Sequence, residues 1–289
     1  MDYQGNVIRP PSESRSIILQ VTVGCSHNKC TFCGAYKDQK FTIKPDHVVM
    51  DDLAFAAQHY AHVNRLFLAD GDVLILSHKR LVGLITSIKN KLPSVKRIRL
   101  YGNAKSIRSK TVEELAELKA LGLDRIYMGL ESGCDTILTG IKKCSSSQQM
   151  IEAACKVRDA GIFLSVTTLL GIGGTKLSAK NAIETAQVLN SMKPNQIAAL
   201  TLMPMPNTEL YAQIKQGLFT LPNQHSLLAE LRLMVENITI DKVQFQANHA
   251  SNYLPIDCRL QKDKGHVLEL LDLAIAGKTP LMPDYMRAL

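Results

Sequence analysis

Six short apolar runs recur along this 289-residue chain, separated by stretches whose apolar residues repeat at helical spacing. The runs are "SIILQVTVG" (16–24), "RLFLADGD" (65–72), "RIRLYGNA" (97–104), "RIYMGLES" (125–132), "FLSVTTLLG" (163–171) and "QIAALTLM" (196–203). Short apolar runs alternating with amphipathic helices are the pattern of parallel strands joined by helical crossovers. In "TVEELAELKALG", Thr111 is a candidate N-cap, acidic residues occupy the first turn and Gly122 is the stop signal. The strands recur about every thirty residues, one βα unit each.

Six units rather than eight predict an α/β fold of the partial (β/α)6, TIM-like barrel type over residues 16–220, preceded by an N-terminal segment, 1–15. From residue 221 the alternation breaks into a helix candidate ("HSLLAELRLMVENI"), a strand candidate ("VQFQANH") and a final helix candidate ("GHVLELLDLAIAG"). This is read as a short C-terminal α/β extension, 221–289, covering the open side of the barrel. No low-complexity tract or composition shift marks an independent second domain.

A hydrophobic fraction of 46% and a charged fraction of 21% are globular values, which exclude disorder as the chain's general state. No apolar run reaches the eighteen residues of a membrane span. The start, "MDYQGNVIRPPSESRS", lacks a charged region followed by an apolar one, so a cytoplasmic location with reduced thiols is expected. The net charge of +8 suits a polyanion such as tRNA, but it is spread without an arginine-rich run, so a nucleic-acid partner is not favoured over a solvated basic surface.

In a parallel α/β barrel the site is built at the C-terminal ends of the strands. There the chain places Gly24 to Cys33, then Asp70-Gly71-Asp72, Asn103, Glu131-Ser132-Gly133 and Gly171 to Gly174. Polar residues and glycines at five successive strand ends are not what packing alone selects. Cys25, Cys30 and Cys33 fall within nine positions, and three thiolates leave one coordination position of a metal centre without a ligand from the cluster. A zinc site completes itself with His27 or a distant histidine; a cubane 4Fe-4S cluster leaves one iron open for a substrate or cofactor. Cys134, Cys144, Cys155 and Cys258 have no spacing that defines a second cluster; Cys155 fits a helix face, and Cys134 is read as a bystander next to the fourth strand end.

These motifs resemble the radical S-adenosylmethionine (SAM) superfamily over about residues 16–215. "CTFC" carries Phe32 just before the last thiol, "FLADGDVL" is similar to the glycine-rich motif that holds the SAM amino group, "GLESG" to the fourth-strand motif, and "LLGIGG" to the fifth-strand adenine motif. The "GLESG" element is most similar to the branch containing anaerobic coproporphyrinogen dehydrogenase, the elongator catalytic subunit and the methylthiotransferases. The sequence departs from the usual pattern in having four residues between the first two cysteines, in Asp70 where a glycine is usual, and in Asp72 where many members have glutamate.

The resemblance implies a 4Fe-4S cluster held by Cys25, Cys30 and Cys33, with SAM chelating the open iron. It implies that Asp70, Gly71 and Asp72 accept hydrogen bonds from the SAM ammonium and that Asn103 and Ser106 donate to its carboxylate. It also implies that Glu131 accepts from the ribose hydroxyls, and that Gly171 and Gly173 leave room for adenine, whose edge meets backbone near Phe32. The activity implied is reductive cleavage of SAM to a 5′-deoxyadenosyl radical that abstracts hydrogen from an unidentified substrate, fed by an electron donor such as flavodoxin or ferredoxin. Two alternatives stand beside it: a non-catalytic zinc-binding scaffold, and a radical SAM enzyme modifying tRNA. In "FQANHASNYLPIDCRL", His249 is the candidate for proton transfer or substrate positioning, set against turn chemistry as the plainer role of the segment.

Overall fold

The computed structural model describes residues 1–288, which form two compact units interleaved along the chain. The first comprises Met1–Asn28, Cys33–Met128 and Cys155–Leu164; the second comprises Lys29–Phe32, Gly129–Ala154 and the chain from Ser165 onward.

The first unit contains β1 (Ile17–Gln20), β2 (Thr22–Val23), β3 (Thr42–Ile43), α1 (Asp46–His59), β4 (Arg65–Ala69), α2 (His78–Lys91), β5 (Arg97–Tyr101), α3 (Ala104–Arg108), α4 (Val112–Leu121) and β6 (Leu123–Glu131), whose end belongs to the second unit. Strands β1, β4, β5 and β6 pair in that order, all parallel. Period-two alternation separates two faces. Leu19, Leu66, Leu68, Ile98, Leu100 and Ile126 share one face and are fully buried, which suits a face covered by crossover helices. The opposite face carries Ile18, Gln20, Phe67, Ala69, Arg99, Tyr101 and Tyr127, an aromatic and polar set. The N-terminal segment runs across it: Gln4 exchanges hydrogen bonds with Gln20 (2.8 and 3.0 Å), and buried Glu13 accepts from Arg99 (2.6 Å) and Tyr127.

The predicted first strand, 16–24, is two strands. The Val21 amide still donates to the Ala69 carbonyl (2.7 Å), but its carbonyl accepts from the Lys44 amide (3.1 Å), and Thr22–Val23 pair antiparallel with Thr42–Ile43. The second predicted strand stops at Ala69, because Asp70 onward turns into the loop that forms the site. The predicted ends of α4 hold: Thr111 and Glu114 form a reciprocal capping box (3.1 and 2.8 Å) and Gly122 closes the helix at φ +118°.

The second unit contains α5 (Asp135–Gly140), α6 (Ser147–Asp159), β7 (Phe163–Leu170), α7 (Gly174–Met192), β8 (Gln196–Thr201), α8 (Glu209–Lys215), α9 (Gln224–Asn237), β9 (Val243–Gln246), β10 (Asp257–Leu260) and α10 (Lys264–Ile275); α6 ends and β7 begins in the first unit. Here β7, β8 and β9 are parallel, and β10 is antiparallel to β9. Strand β9, expected in an extension over an open side, adds to the sheet beside β8, while α9 packs along α7 and α10. The four-residue β10, "DCRL", is too short to carry a periodic signal and is absent from the sequence-based expectation. The architecture is the predicted α/β class, a mostly parallel sheet of partial TIM-like type. Among the described residues no helix is long and apolar enough to cross a membrane.

Candidate functional site

In the first unit the loop after β4 gathers several of the predicted residues. Asp72 is fully buried and accepts from Ser26 Oγ (2.5 Å), Ser106 Oγ (2.6 Å), Asn103 Nδ2 (2.7 Å) and the Asn103 amide (3.2 Å). Burial pushes its pKa up, and the Ser106, Ser26 and Asn103 donors offset this only in part. Asn103 also caps α3, its Oδ1 accepting from the Ser106 amide (2.8 Å). Asn103 and Ser106, expected to donate outward to a SAM carboxylate, thus turn these donors onto Asp72. The sequence reading missed Ser26, the second hydroxyl of this network, although it lies directly after Cys25.

Asp70 is equally buried, accepting from Gln20 Nε2 (2.7 Å) and the Tyr36 hydroxyl (3.2 Å). Its pKa is also raised by burial despite those bonds. The Gly71 amide donates to the Gly24 carbonyl (3.2 Å), and a Cβ on Gly71 would stand 3.0 Å from the Tyr36 ring, 3.2 Å from Cys25 Cβ and 3.3 Å from the Gly24 oxygen. Only glycine lets the strand end lie this close to the first cysteine.

In the second unit, Thr31 is pinned on both sides, its amide donating to Ile141 O (3.0 Å) and its carbonyl accepting from Leu210 N (2.9 Å), which fixes the backbone beside Cys30 and Phe32. Glu131 has φ +66°, rare for a residue with a side chain. Its carboxylate accepts from Lys143 Nζ at 2.9 Å, with both side chains 12% exposed. Gly129 provides the space: a Cβ there would collide with the Glu131 carboxylate and approach Lys143 Nζ to 3.2 Å. Burial lowers the Lys143 pKa, but Glu131, Cys30 and Cys144 raise it more, so the ammonium is retained. Lys143 was not anticipated, since a lysine in "GIKKCSSS" reads as solvated surface.

At the two glycines expected to make room for adenine, protein stands where a side chain would be. A Cβ on Gly171 (φ +81°) would meet Leu227 Cδ2 at 2.9 Å, and one on Gly173 would meet Ile137 Cδ1 at 2.9 Å. The Gly171 amide donates to the buried Glu230 of α9 (3.0 Å), a residue with no sequence signal. His249 is half-buried in the β9–β10 connection, its Nδ1 accepting from the Ser251 amide (3.1 Å). That connection is tied to the end of β8, where Ser251 Oγ accepts from the Thr201 amide (3.1 Å) and Asn252 Oδ1 accepts from Thr201 Oγ1 (2.8 Å).

Residues 19–186, more than half of the chain, match the family model of the radical SAM superfamily. The chain belongs to the radical SAM superfamily. Radical SAM proteins use a 4Fe-4S cluster and SAM. Among solved structures, this radical SAM chain is similar to methylornithine synthase (15% identity, TM-score 0.55, covering 77% of this chain and 63% of that one). It is similar also to coproporphyrinogen III oxidase from Escherichia coli (16%, 0.57, 76% and 51%) and to the archaeal Elp3 of Methanocaldococcus infernus with an N-terminal deletion (12%, 0.55, 92% and 63%). These likenesses are of fold, and the chain spans between half and two thirds of the length of these structures. No curated protein sequence matches it.

The residues present fit the radical SAM cofactors. All three clustered cysteines are partly exposed rather than packed into the core, the Gly71 backbone packs against Cys25 where a side chain would crowd it, and the Lys143 ammonium lies close enough to Cys30 for the two to interact electrostatically. Among the described residues no three His, Cys, Asp or Glu side chains are grouped as a site for a single metal ion.

Proposed function

We propose that this protein is an enzyme that reductively cleaves SAM and uses the resulting radical to abstract hydrogen from an organic substrate. The observation that carries the reading is the three-thiol stretch after the first strand, with Gly71 packed against Cys25, in a chain of the radical SAM superfamily. Cys25, Cys30 and Cys33 hold the cluster. When bound, the cluster supplies the low-potential electron that breaks the S–C5′ bond of SAM.

The chain's own residues bind and orient. The Asp70–Asp72 loop receives the SAM ammonium, its two carboxylates held in place by Gln20, Tyr36, Ser26, Asn103 and Ser106. Glu131, braced by Lys143, accepts from the ribose hydroxyls, and the backbone at Phe32 and Gly171–Gly173 meets adenine. Preorganised contacts hold the reacting carbon against one C–H bond and keep water out. His249, its Nδ1 held by the Ser251 amide and hydroxyl, serves as proton carrier or substrate contact. A flavodoxin or ferredoxin is the electron donor.

Anaerobic reconstitution with iron and sulfide, reduction and addition of SAM tests the reading. Release of 5′-deoxyadenosine with about four irons per chain, lost in Cys30→Ala, is the expected result. A colourless protein holding one zinc and releasing no 5′-deoxyadenosine would overturn it in favour of a zinc scaffold.

A further inference from the structure

Glu230 lies on α9, outside residues 19–186 that match the family, and is 2% exposed. Among the described residues its carboxylate pairs with no cation; it accepts from three donors on and before another helix. Oε1 accepts from the Gly171 amide (3.0 Å) and from Asn181 Nδ2 (2.8 Å), and Oε2 accepts from Ser178 Oγ. Asn181 passes the connection on: its Nδ2 also donates to the Leu169 carbonyl (3.1 Å), while its Oδ1 accepts from Ser132 Oγ (2.6 Å) and Thr185 Oγ1 (3.3 Å). Thr185 Oγ1 in turn accepts from the Gly133 amide (2.8 Å), and Ser132 Oγ from the Cys134 amide (3.0 Å). One carboxylate therefore anchors, directly at Gly171 and through Asn181 at Ser132, the ends of both β7 and β6.

An ordinary packing position in α9 needs no acid, and a buried carboxylate without a paired cation is costly unless its acceptor capacity is needed. The need here is geometric. The Gly171 amide, in a turn at φ +81°, has no partner in the strand ladder, and an unpaired buried amide would leave the turn free to reorient.

We propose that Glu230 is a positioning residue for the adenosine part of bound SAM, holding the β7 turn and, through Asn181, the β6 end in the arrangement that receives it. This rests on the reading of the site given above. It also makes α9 a component of the SAM site.

The test is equilibrium binding of radiolabelled SAM to the reconstituted, unreduced protein, with iron content and melting temperature measured in parallel. In Glu230→Gln the side-chain oxygen still accepts from Gly171 and Asn181 and the amide donates to Ser178, so affinity stays near wild type. Glu230→Asp is shorter by one methylene and cannot reach Gly171 while keeping Ser178; affinity falls about tenfold at unchanged iron content, the scale of one buried amide losing its acceptor. Ser178→Ala removes only the Oε2 donor and leaves affinity unchanged. Wild-type affinity in Glu230→Asp, or equal losses in all three variants, overturns the proposal. If Glu230→Asp does not fold, hydrogen exchange of the wild type decides: a slowly exchanging Gly171 amide supports the proposal and one exchanging as an open loop overturns it. A wild type with four irons that binds no SAM refutes the functional reading itself, a result distinct from either.

Discussion

Lys143 Nζ sits 2.9 Å from Glu131 Oε1, and the residue it holds is one whose backbone is in the left-handed region. A left-handed non-glycine residue costs on the order of 1–3 kcal/mol and persists where its surroundings over-determine it. The ion pair supplies part of that constraint. Strain is retained here at a strand end where glycine would be the relaxed alternative.

Lys143→Met is expected to destabilise the protein by about 2 kcal/mol, because Glu131 is left largely buried without its cation. Adding Glu131→Gln to it recovers part of that loss while SAM binding stays weak. Urea denaturation of the two single variants and the double variant checks the stability cycle, and equal stability of wild type and Lys143→Met would refute the bracing role.

Asp72→Asn replaces an acceptor oxygen by a donor in front of Ser26, Ser106 and Asn103, so a loss of about 2 kcal/mol is expected. Ser106→Ala, which removes one donor and leaves three, is expected to cost about 1 kcal/mol. Denaturant midpoints for the two variants give the comparison, and the reverse ranking would mean that Asp72 is not the centre of the network.

Glu230 has a pKa raised above its usual 4.5 by burial, offset in part by Ser178, Gly171 and Asn181. The folded state therefore binds this proton more tightly than the unfolded chain does, and the group's contribution to stability declines as pH rises from the usual value through the folded one. Glu230→Gln removes that slope. Melting curves from about pH 4.5 to pH 7 should show the variant gaining on the wild type as pH rises; parallel curves would contradict the raised pKa.

His249 has the opposite sign. Burial lowers its pKa below the usual 6.5, so on acidification the unfolded chain takes the proton first and stability is lost as pH falls from 6.5 toward the folded value. In His249→Asn, the Oδ1 can replace Nδ1 as acceptor for the Ser251 amide, so the fold is kept and the acid-sensitive step disappears. Melting temperatures from about pH 5 to pH 7 report the difference, and substrate turnover in the same variant separates a proton-carrying role from a turn.

The sequence by itself determined the parallel α/β class, the strands at 97 and 125 and the capped helix from Thr111 to Gly122, and it marked the cysteine, Asp70–Asp72 and Glu131 stretches as the candidate site. These are local signals: periodicity, capping and polar residues at strand ends depend on neighbours a few positions apart. The tertiary structure decided which polar groups meet. Ser26 joins Asp72 across 46 positions, Lys143 reaches Glu131 across 12, and Glu230 reaches Gly171 across 59. It also divided the first predicted strand and paired β9, a strand already read in "VQFQANH", beside β8. A serine, a lysine and a helical glutamate are individually ordinary residues; what makes them part of a site is burial together with a hydrogen-bond partner brought from elsewhere in the chain, and only the packed fold supplies both.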